Sequence, residues 1–401
     1  MKAPSTLLPT ARSSASVSRS TWGMAGTKWS LVLAFMGLLV SCASPPKPPI
    51  VETPTTTTTP STPSNAPNIV NQSKSRWVKS SWSELPGVEN DNLNEAWVAW
   101  LQSCSRAAVA ASPLCQSIKR LEGQSVAQQR AWLVQNFEPY RVESLQNTAT
   151  PANGLLTAYY EPVLEASKVS KPGFTVPLYS PPANLKARSP WYTREEIGKL
   201  PAAQNALKGK ELAFLADPID AMILHIQGSG RLWLTQADGT RKQVRLAFAG
   251  TNDQPYQSIG RWLLDQNLTK DATWPGIKAW LAQNPKRTQE LLAKNPRFVF
   301  FKEEGLTAQD ALLGPKGAQG VPLTAGRSIA VDPGSIPYGS PVWLVSQGPQ
   351  TQLQRLVIAQ DTGSAIQGAV RADFYVGSGD AAGELAGRLK QDMKAWVLLP
   401  R

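Results

Sequence analysis

The chain has 401 residues and a formal charge of +12, from 41 Lys and Arg against 29 Asp and Glu, with 33 Pro, 29 Gly, 14 Trp and one His. Apolar residues make up 42% of it, which provides for sizeable cores, excludes a wholly disordered chain and, at this length, suits two to three domains. His225 alone rules out any site needing two histidines, and three cysteines are too few for a Cys-only zinc site or a disulfide scaffold. The chemistry is therefore expected to rest on carboxylates.

Met1 to Ser41 carries Lys2, Arg12, Arg19 and Lys28 and no acid, so part of the charge belongs to the N-terminus. Lys28 is followed by an apolar run, Trp29 to Val40, then Ser41 and Cys42. A basic flank, a short apolar run and a small residue before a cut site read as a secretory signal over residues 1–41. The run falls short of the roughly 20 residues of a membrane span. Leu39-Val-Ser-Cys42 resembles a bacterial lipobox with Cys42 as the lipidated residue, and Ala43 after it resembles the outer-membrane sorting pattern. Residues 42–76, rich in Pro, Thr and Ser and including Thr55 to Thr59, read as a semi-extended tether. No dense Lys/Arg run points to nucleic acid, and net charge alone does not choose between an anionic surface, an acidic polymer and a generally basic exterior.

From Trp77 to about Thr148 the apolar spacing is helical: Trp97, Trp100 and Leu101 share a face, and Trp132 to Phe137 continues the pattern. Cys104 and Cys115 fit either a short disulfide loop or two buried thiols. Gly154 to Pro162 reads as a strand, and a proline-broken stretch runs from Pro172 to Pro201. Ala221 to Gln227 reads as another strand, stopped by Gly228-Ser-Gly230, and Asp238-Gly239 marks a hairpin between Arg231–Gln236 and Lys242–Phe248. Helical stretches follow between about Ser258 and Leu292, then strands at Phe298–Phe301, Ile329–Val331, Val342–Val345 and Leu353–Ala359. Ala381 to Met393 reads as a helix with Asp380 as its N-cap, and Trp396 to Leu399 as a closing strand. Helices first and many short strands afterwards make the chain α+β and mainly β, with at least one barrel or sandwich.

Asp361 follows an apolar strand directly, and Asp373 lies on the next apolar stretch. Acids so placed can project into one cleft, where burial or a neighbouring acid prepares one of them for general acid work; each also fits a turn or strand end. Asp361-Thr-Gly matches the aspartic protease tripeptide, but such a protease needs two aspartates sharing a proton, and the tripeptide occurs once. Gln227-Gly-Ser-Gly-Arg231 lacks the Lys and spacing of a nucleotide loop, and fits either close approach to a long ligand or a tight connection.

Taken together, Thr157-Ala-Tyr-Tyr-Glu-Pro162, Ile226-Gln-Gly-Ser-Gly230, Asn295-Pro-Arg-Phe-Val-Phe-Phe301, Val331-Asp332, Gln360-Asp-Thr-Gly363, Arg371-Ala-Asp373 and Gly377-Ser-Gly-Asp380 stand in the order of one family. They resemble the lytic murein transglycosylase A family with its three-aspartate barrel, over roughly residues 77–401. The resemblance implies a double-psi β-barrel with a second β-rich domain inserted into it and a groove between them. The barrel, with N-terminal helices, would take 77–164 and 305–401, and the insert 165–304. It implies cleavage of the β-1,4 bond between N-acetylmuramic acid and N-acetylglucosamine in peptidoglycan, with the muramic acid C6 hydroxyl attacking its own C1 to leave a 1,6-anhydro end. Asp373 would be the acid and then the base, with Asp361 supporting it. Thr157, Tyr159, Tyr160, Gln227, Gly228, Ser229, Gly230, Thr362 and Gly363 would hold the glycan. Neither a cofactor nor a metal is implied. The partners would be peptidoglycan glycan strands, the outer membrane through Cys42 on its periplasmic side, and cell-wall synthesis or division complexes; a non-catalytic peptidoglycan binder and a water-using muramidase are the alternatives.

Overall fold

The computed structural model describes residues 68–401, so the expected signal, Cys42 and most of the tether lie outside the described residues. Strands β1 (Ile69–Asn71) and β2 (Ser75–Lys79) come first, so residues 69–76, expected within the tether, belong to the folded unit. Helices α1 (Leu93–Cys104), α2 (Pro113–Arg120) and α3 (Val126–Asn136) lead to β3 (Phe137–Ser144) and β4 (Gly154–Glu161). There follow β5 (Val163–Ser167), β6 (Val176–Tyr179), α4 (Arg194–Lys199), α5 (Pro201–Leu207), β7 (Glu211–Leu215) and α6 (Pro218–Gln227). Next come β8 (Gly230–Thr235), β9 (Arg241–Thr251), α7 (Ile259–Asp265), α8 (Trp274–Gln283), α9 (Thr288–Ala293) and β10 (Val299–Gly305). The chain finishes with β11 (Ser328–Val331), β12 (Pro341–Gln347), β13 (Gln352–Asp361), β14 (Arg371–Ser378), α10 (Asp380–Arg388) and β15 (Lys390–Pro400).

Six of these strands pair in a ring, β15-β12-β13-β11-β14-β4 and back to β15, which closes a barrel. Closure hides the edges that an open sheet would expose. Parallel pairs β11–β13 and β14–β4 are interleaved with antiparallel ones. Leu156, Ile329, Val331, Val357, Ala372 and Phe374 fill its interior. Outside, α1 to α3 pack Trp97, Trp100 and Leu133 against Trp343 and Trp396, and a Cys104–Cys115 disulfide ties α1 to α2. A second sheet, β10-β9-β8-β5-β7-β6, is built wholly between β4 and β11, with α6 to α9 packed around it.

The junction is short. β4 ends at Glu161, Pro162 follows, and β5 is already in the second sheet, so the crossing precedes the expected residue 165. Glu161 is fully buried and accepts from Arg231 Nε at 2.7 Å and Arg245 Nε at 2.6 Å. The same guanidinium groups donate to the carbonyls of Ala311 (2.8 Å, from Arg231) and Leu313 (3.0 Å from Arg231, 2.8 Å from Arg245). One carboxylate thus fastens the strand entering the second sheet to the segment leaving it.

Three sequence expectations are corrected. Ala221–Gln227 is the body of α6, not a strand. Asp217 caps it by accepting from Ile219 N at 2.8 Å, Pro218 opens it, and Gly228 ends it in the left-handed region at φ +79°. The helix gives Ala221 and Leu224 to one core and Ile219, Met222 and Ile223 to another, so burial on both sides erases its periodicity. The helix expected over Ala381–Met393 stops at Arg388, and Lys390–Met393 begin β15; Asp380 is an exposed first helical residue, with Gly379 as the cap. Trp77 and Phe137 lie in strands β2 and β3 rather than in a helical run.

Candidate active site

Register places the two acids. Thr157 on β4 stands opposite Asp373 on β14, Asp373 opposite Ala330 on β11, and Ala330 opposite Asp361 on β13. Side chains in register across a sheet share a face. Their neighbours Leu156, Ala372, Phe374, Ile329 and Val331 point into the barrel, so this row points outward. A register shift on β13 leaves Gln360 as an extra residue between Ala359 and Asp361, and Asp361 joins the row because of it.

A cavity of about 240 Å³ lies over the row, between the barrel and the second sheet. The barrel contributes Thr157, Tyr159, Arg371, Asp373 and the Gly363–Ile366 loop. The other wall is His225 and Gln227 from the end of α6, with Tyr256, Asn295 and Arg297 from loops. Asp373 is the one carboxylate in this lining.

Asp373 Oδ1 accepts a very close hydrogen bond from the Thr157 hydroxyl, which in turn accepts from Arg371 Nη2 at 2.8 Å. Burial pushes the Asp373 carboxyl up to about 6, with the charge of Asp361 adding to the rise and Thr157 and Arg371 opposing it. Asp361 is differently furnished: Oδ1 accepts from Ala318 N at 2.8 Å and Thr362 N at 2.9 Å, and Oδ2 from Tyr159 Oη at 2.9 Å. Burial raises it as well, against three donors that favour the ionised form. The Tyr159 hydroxyl, buried beside Asp361, is pushed well above its usual value and stays a donor. Its ring leans on Tyr375, with centroids 5.3 Å apart.

Of the residues expected at the site, Thr157, Tyr159, Gln227, Gly363 and Asp373 line the cavity. Asp361 does not line it and reaches it through the Tyr159 hydroxyl. Tyr160 turns the other way into the core under α6 to α8, and only its backbone N–H meets the site, donating to Gln227 Oε1 at 3.1 Å. Gly228, Ser229 and Gly230 join α6 to β8 outside the lining; a Cβ on Gly230 would meet Leu224 at 2.3 Å, so this glycine serves packing. The Thr362 hydroxyl is spent on the Val331 carbonyl at 2.8 Å. His225 is buried, lies 3.0 Å through Nδ1 from Arg194 Nη1, and is held well below its usual pKa by that burial.

Sequence reasoning gave no site role to Arg371, Tyr256, Asn295 or Arg297, although Arg371, Asn295 and Arg297 fall within the quoted family motifs. Arg371 had a signal, since it stands two residues before Asp373 on one strand and must share its face. Asn295 and Arg297 had only the family motif that contains them, and Tyr256 sits in a loop that no spacing announces. Among the described residues no group of three or more His, Cys, Asp or Glu side chains could hold a metal ion.

The barrel and the inserted sheet match known proteins. A family model described as "MltA specific insert domain" matches residues 155–302, and the "3D domain" model matches residues 327–399. Membrane-bound lytic murein transglycosylase A of Vibrio cholerae is 32% identical over 286 residues, 67% of this chain and 73% of that protein. The lytic transglycosylase LtgG of Burkholderia pseudomallei is 42% identical, with a TM-score of 0.57 over 84% of this chain and 97% of that one. Escherichia coli MltA, solved with bound chitohexaose, is 25% identical, with a TM-score of 0.62 over 84% of this chain and 95% of that one. The chain belongs to the lytic murein transglycosylase A family.

Proposed function

We propose that this chain cleaves the β-1,4 bond between N-acetylmuramic acid and N-acetylglucosamine in peptidoglycan, as a lytic transglycosylase with Asp373 as both acid and base. Its family membership and the chitohexaose bound by the Escherichia coli relative support the enzyme class and a β-1,4-linked glycan as ligand. The observation that carries the mechanism is one raised carboxyl, at about 6, in a lining that holds no other carboxylate. A retaining hydrolase sets a second carboxylate about 5 Å away as nucleophile, and an inverting one sets it about 6.5–9.5 Å away to activate water. Asp361 has its oxygens engaged by three donors and is poorly placed for either task. With one acid the muramic C6 hydroxyl is the natural nucleophile. Asp373 protonates the leaving oxygen, then accepts the C6 hydroxyl proton, and a 1,6-anhydro ring closes.

In this reading the barrel is the catalytic domain, and the inserted sheet supplies the opposing wall that grips the glycan. Gln227 and Gly363 face the chain there. Outer-membrane anchoring through Cys42, on the periplasmic side, is part of the same proposal; among the described residues no helix is long and apolar enough to cross a membrane.

The test is mass spectrometry of muropeptides released by the purified chain from peptidoglycan. Anhydromuramic ends are expected, with Asp373→Asn lowering their release about 10³-fold. Because Asp373 must begin protonated, the rate should fall as pH rises through about 6. Reducing ends would overturn the reading in favour of a muramidase, and intact glycan with bound protein in favour of a binding module.

A further inference from the structure

We propose that Arg371 is a positioning residue that acts through Thr157 to fix which oxygen of Asp373 carries the transferable proton. The inference rests on Asp373 being the acid. A guanidinium only donates, and a hydroxyl has a single proton. Since Arg371 Nη2 donates to Thr157 Oγ1 at 2.8 Å, the Thr157 proton is left for Asp373 Oδ1. Oδ1 is thereby an acceptor, and the proton of the neutral acid resides on Oδ2. Without Arg371 the Thr157 hydroxyl is free to rotate and accept, and the acid proton can sit on either oxygen. The proton leaves Oδ2 for the glycosidic oxygen, and the C6 hydroxyl returns one to the same atom, so the relay ends each turnover as it began.

The same contacts favour the carboxylate once the proton has gone. Arg371 and Thr157 both oppose the upward push that burial gives Asp373. The other charged or titratable groups around Asp373 are Asp361 on β13, Tyr159 on β4, Tyr375 on β14, and His225, Tyr256 and Arg297 across the cavity. Lys390 on β15 stands opposite Thr157 and is exposed. None of these donates to Thr157 Oγ1; only Arg371 does.

Arg371 also donates to the carbonyls of Leu155 (3.4 Å) and Ala372, so a purely structural role, locking β4 to β14, is the competing account. The pH profile separates the two. With the full chain acting on peptidoglycan, Thr157→Val and Arg371→Met should each move the fall in kcat upward by about one pH unit, because the carboxylate loses support. The maximal rate should drop about tenfold with KM unchanged. Thr157→Ser should restore both, and Arg371→Lys should restore the pH position but not the full rate. The double variant should shift less than the sum of the single ones. A fall that stays in place in Thr157→Val, which keeps the side chain's shape and removes only the hydroxyl, would overturn the relay whether or not Arg371→Met folds. A wild-type profile with no fall, together with an active Asp373→Asn, would instead remove Asp373 as the acid.

Discussion

The two walls of the cavity are assembled differently. On the barrel side, Thr157, Asp373 and Asp361 occupy one row of a closed sheet, and backbone pairing on several strands sets their spacing. On the opposite side, the end of α6 and loops carry the lining, and buried side chains stand in for a sheet. Asn252, fully buried, donates to the carbonyls of Tyr192 (2.8 Å) and Pro296 (2.9 Å) and accepts from Phe298 N at 2.7 Å. Arg194 donates to the carbonyls of Asn295 (3.0 Å) and Arg297, and its burial lowers its pKa to about 9. In the proposed mechanism proton transfer, which tolerates little displacement, resides on the rigid wall, and grip on a long polymer on the opposite one.

This contrast can be tested from its strongest joint to its weakest. Glu161 couples the walls, and Glu161→Gln leaves two buried guanidinium groups without a counter-charge. A loss of about 3–5 kcal/mol is expected in urea unfolding; an unchanged midpoint would mean that the junction is held by apolar packing instead. Asn252→Ala strips the insert wall of its brace and should cost about 2–3 kcal/mol. It should raise KM while leaving the pH position of the rate unmoved, and a shift in that position would show that the walls are not separable. Asp361→Asn works on the barrel wall alone. Removing a like charge lowers the pKa of Asp373, so the rate should fall at lower pH, opposite to the Arg371→Met shift, with kcat reduced about tenfold. The last effect is a gain in stability. Asp373 is raised to about 6 in the folded chain, against about 3.9 unfolded, so the folded state holds more protons between these values and loses stability as pH rises through them. Asp373→Asn removes that loss. It should stabilise by up to about 3 kcal/mol in thermal unfolding at pH 7.5 and by nothing at pH 3.

The same contrast explains what the sequence discloses. The strand end carrying Asp361 and the apolar stretch carrying Asp373 were legible, because apolar residues mark both locally and a glycine turn follows Asp361. Their common row was not, since it runs through Ala330, which has no chemistry of its own, and depends on a register shift at Gln360. The family motifs in order pointed to the barrel and insert, yet several motif residues proved structural once placed: Glu161 fastens the junction, Gly230 permits close packing, and Thr362 holds Val331. The helix α6 was misread because its apolar run faces two cores. Apart from Gln227, the composition of the insert wall stayed hidden because Tyr256, Asn295 and Arg297 converge only through the bracing of Asn252 and Arg194, residues that look like ordinary surface polar groups in the sequence.

The seating of the second sheet within the barrel's chain has a consequence for assembly. β4 must find β14 and β15, more than 200 residues away, across everything from Val163 to Gly305. Val163 and Glu304 lie in one row of the second sheet, through Arg231 and Arg245, hence only about 14 Å apart at three strand spacings. Once that sheet has formed, a very long loop has become a short one, and most of the entropy of closing it is already spent. A sheet that forms first would thus serve as a folding template for the barrel around it, and lesions in it should then delay the barrel's closure even where they never touch the barrel.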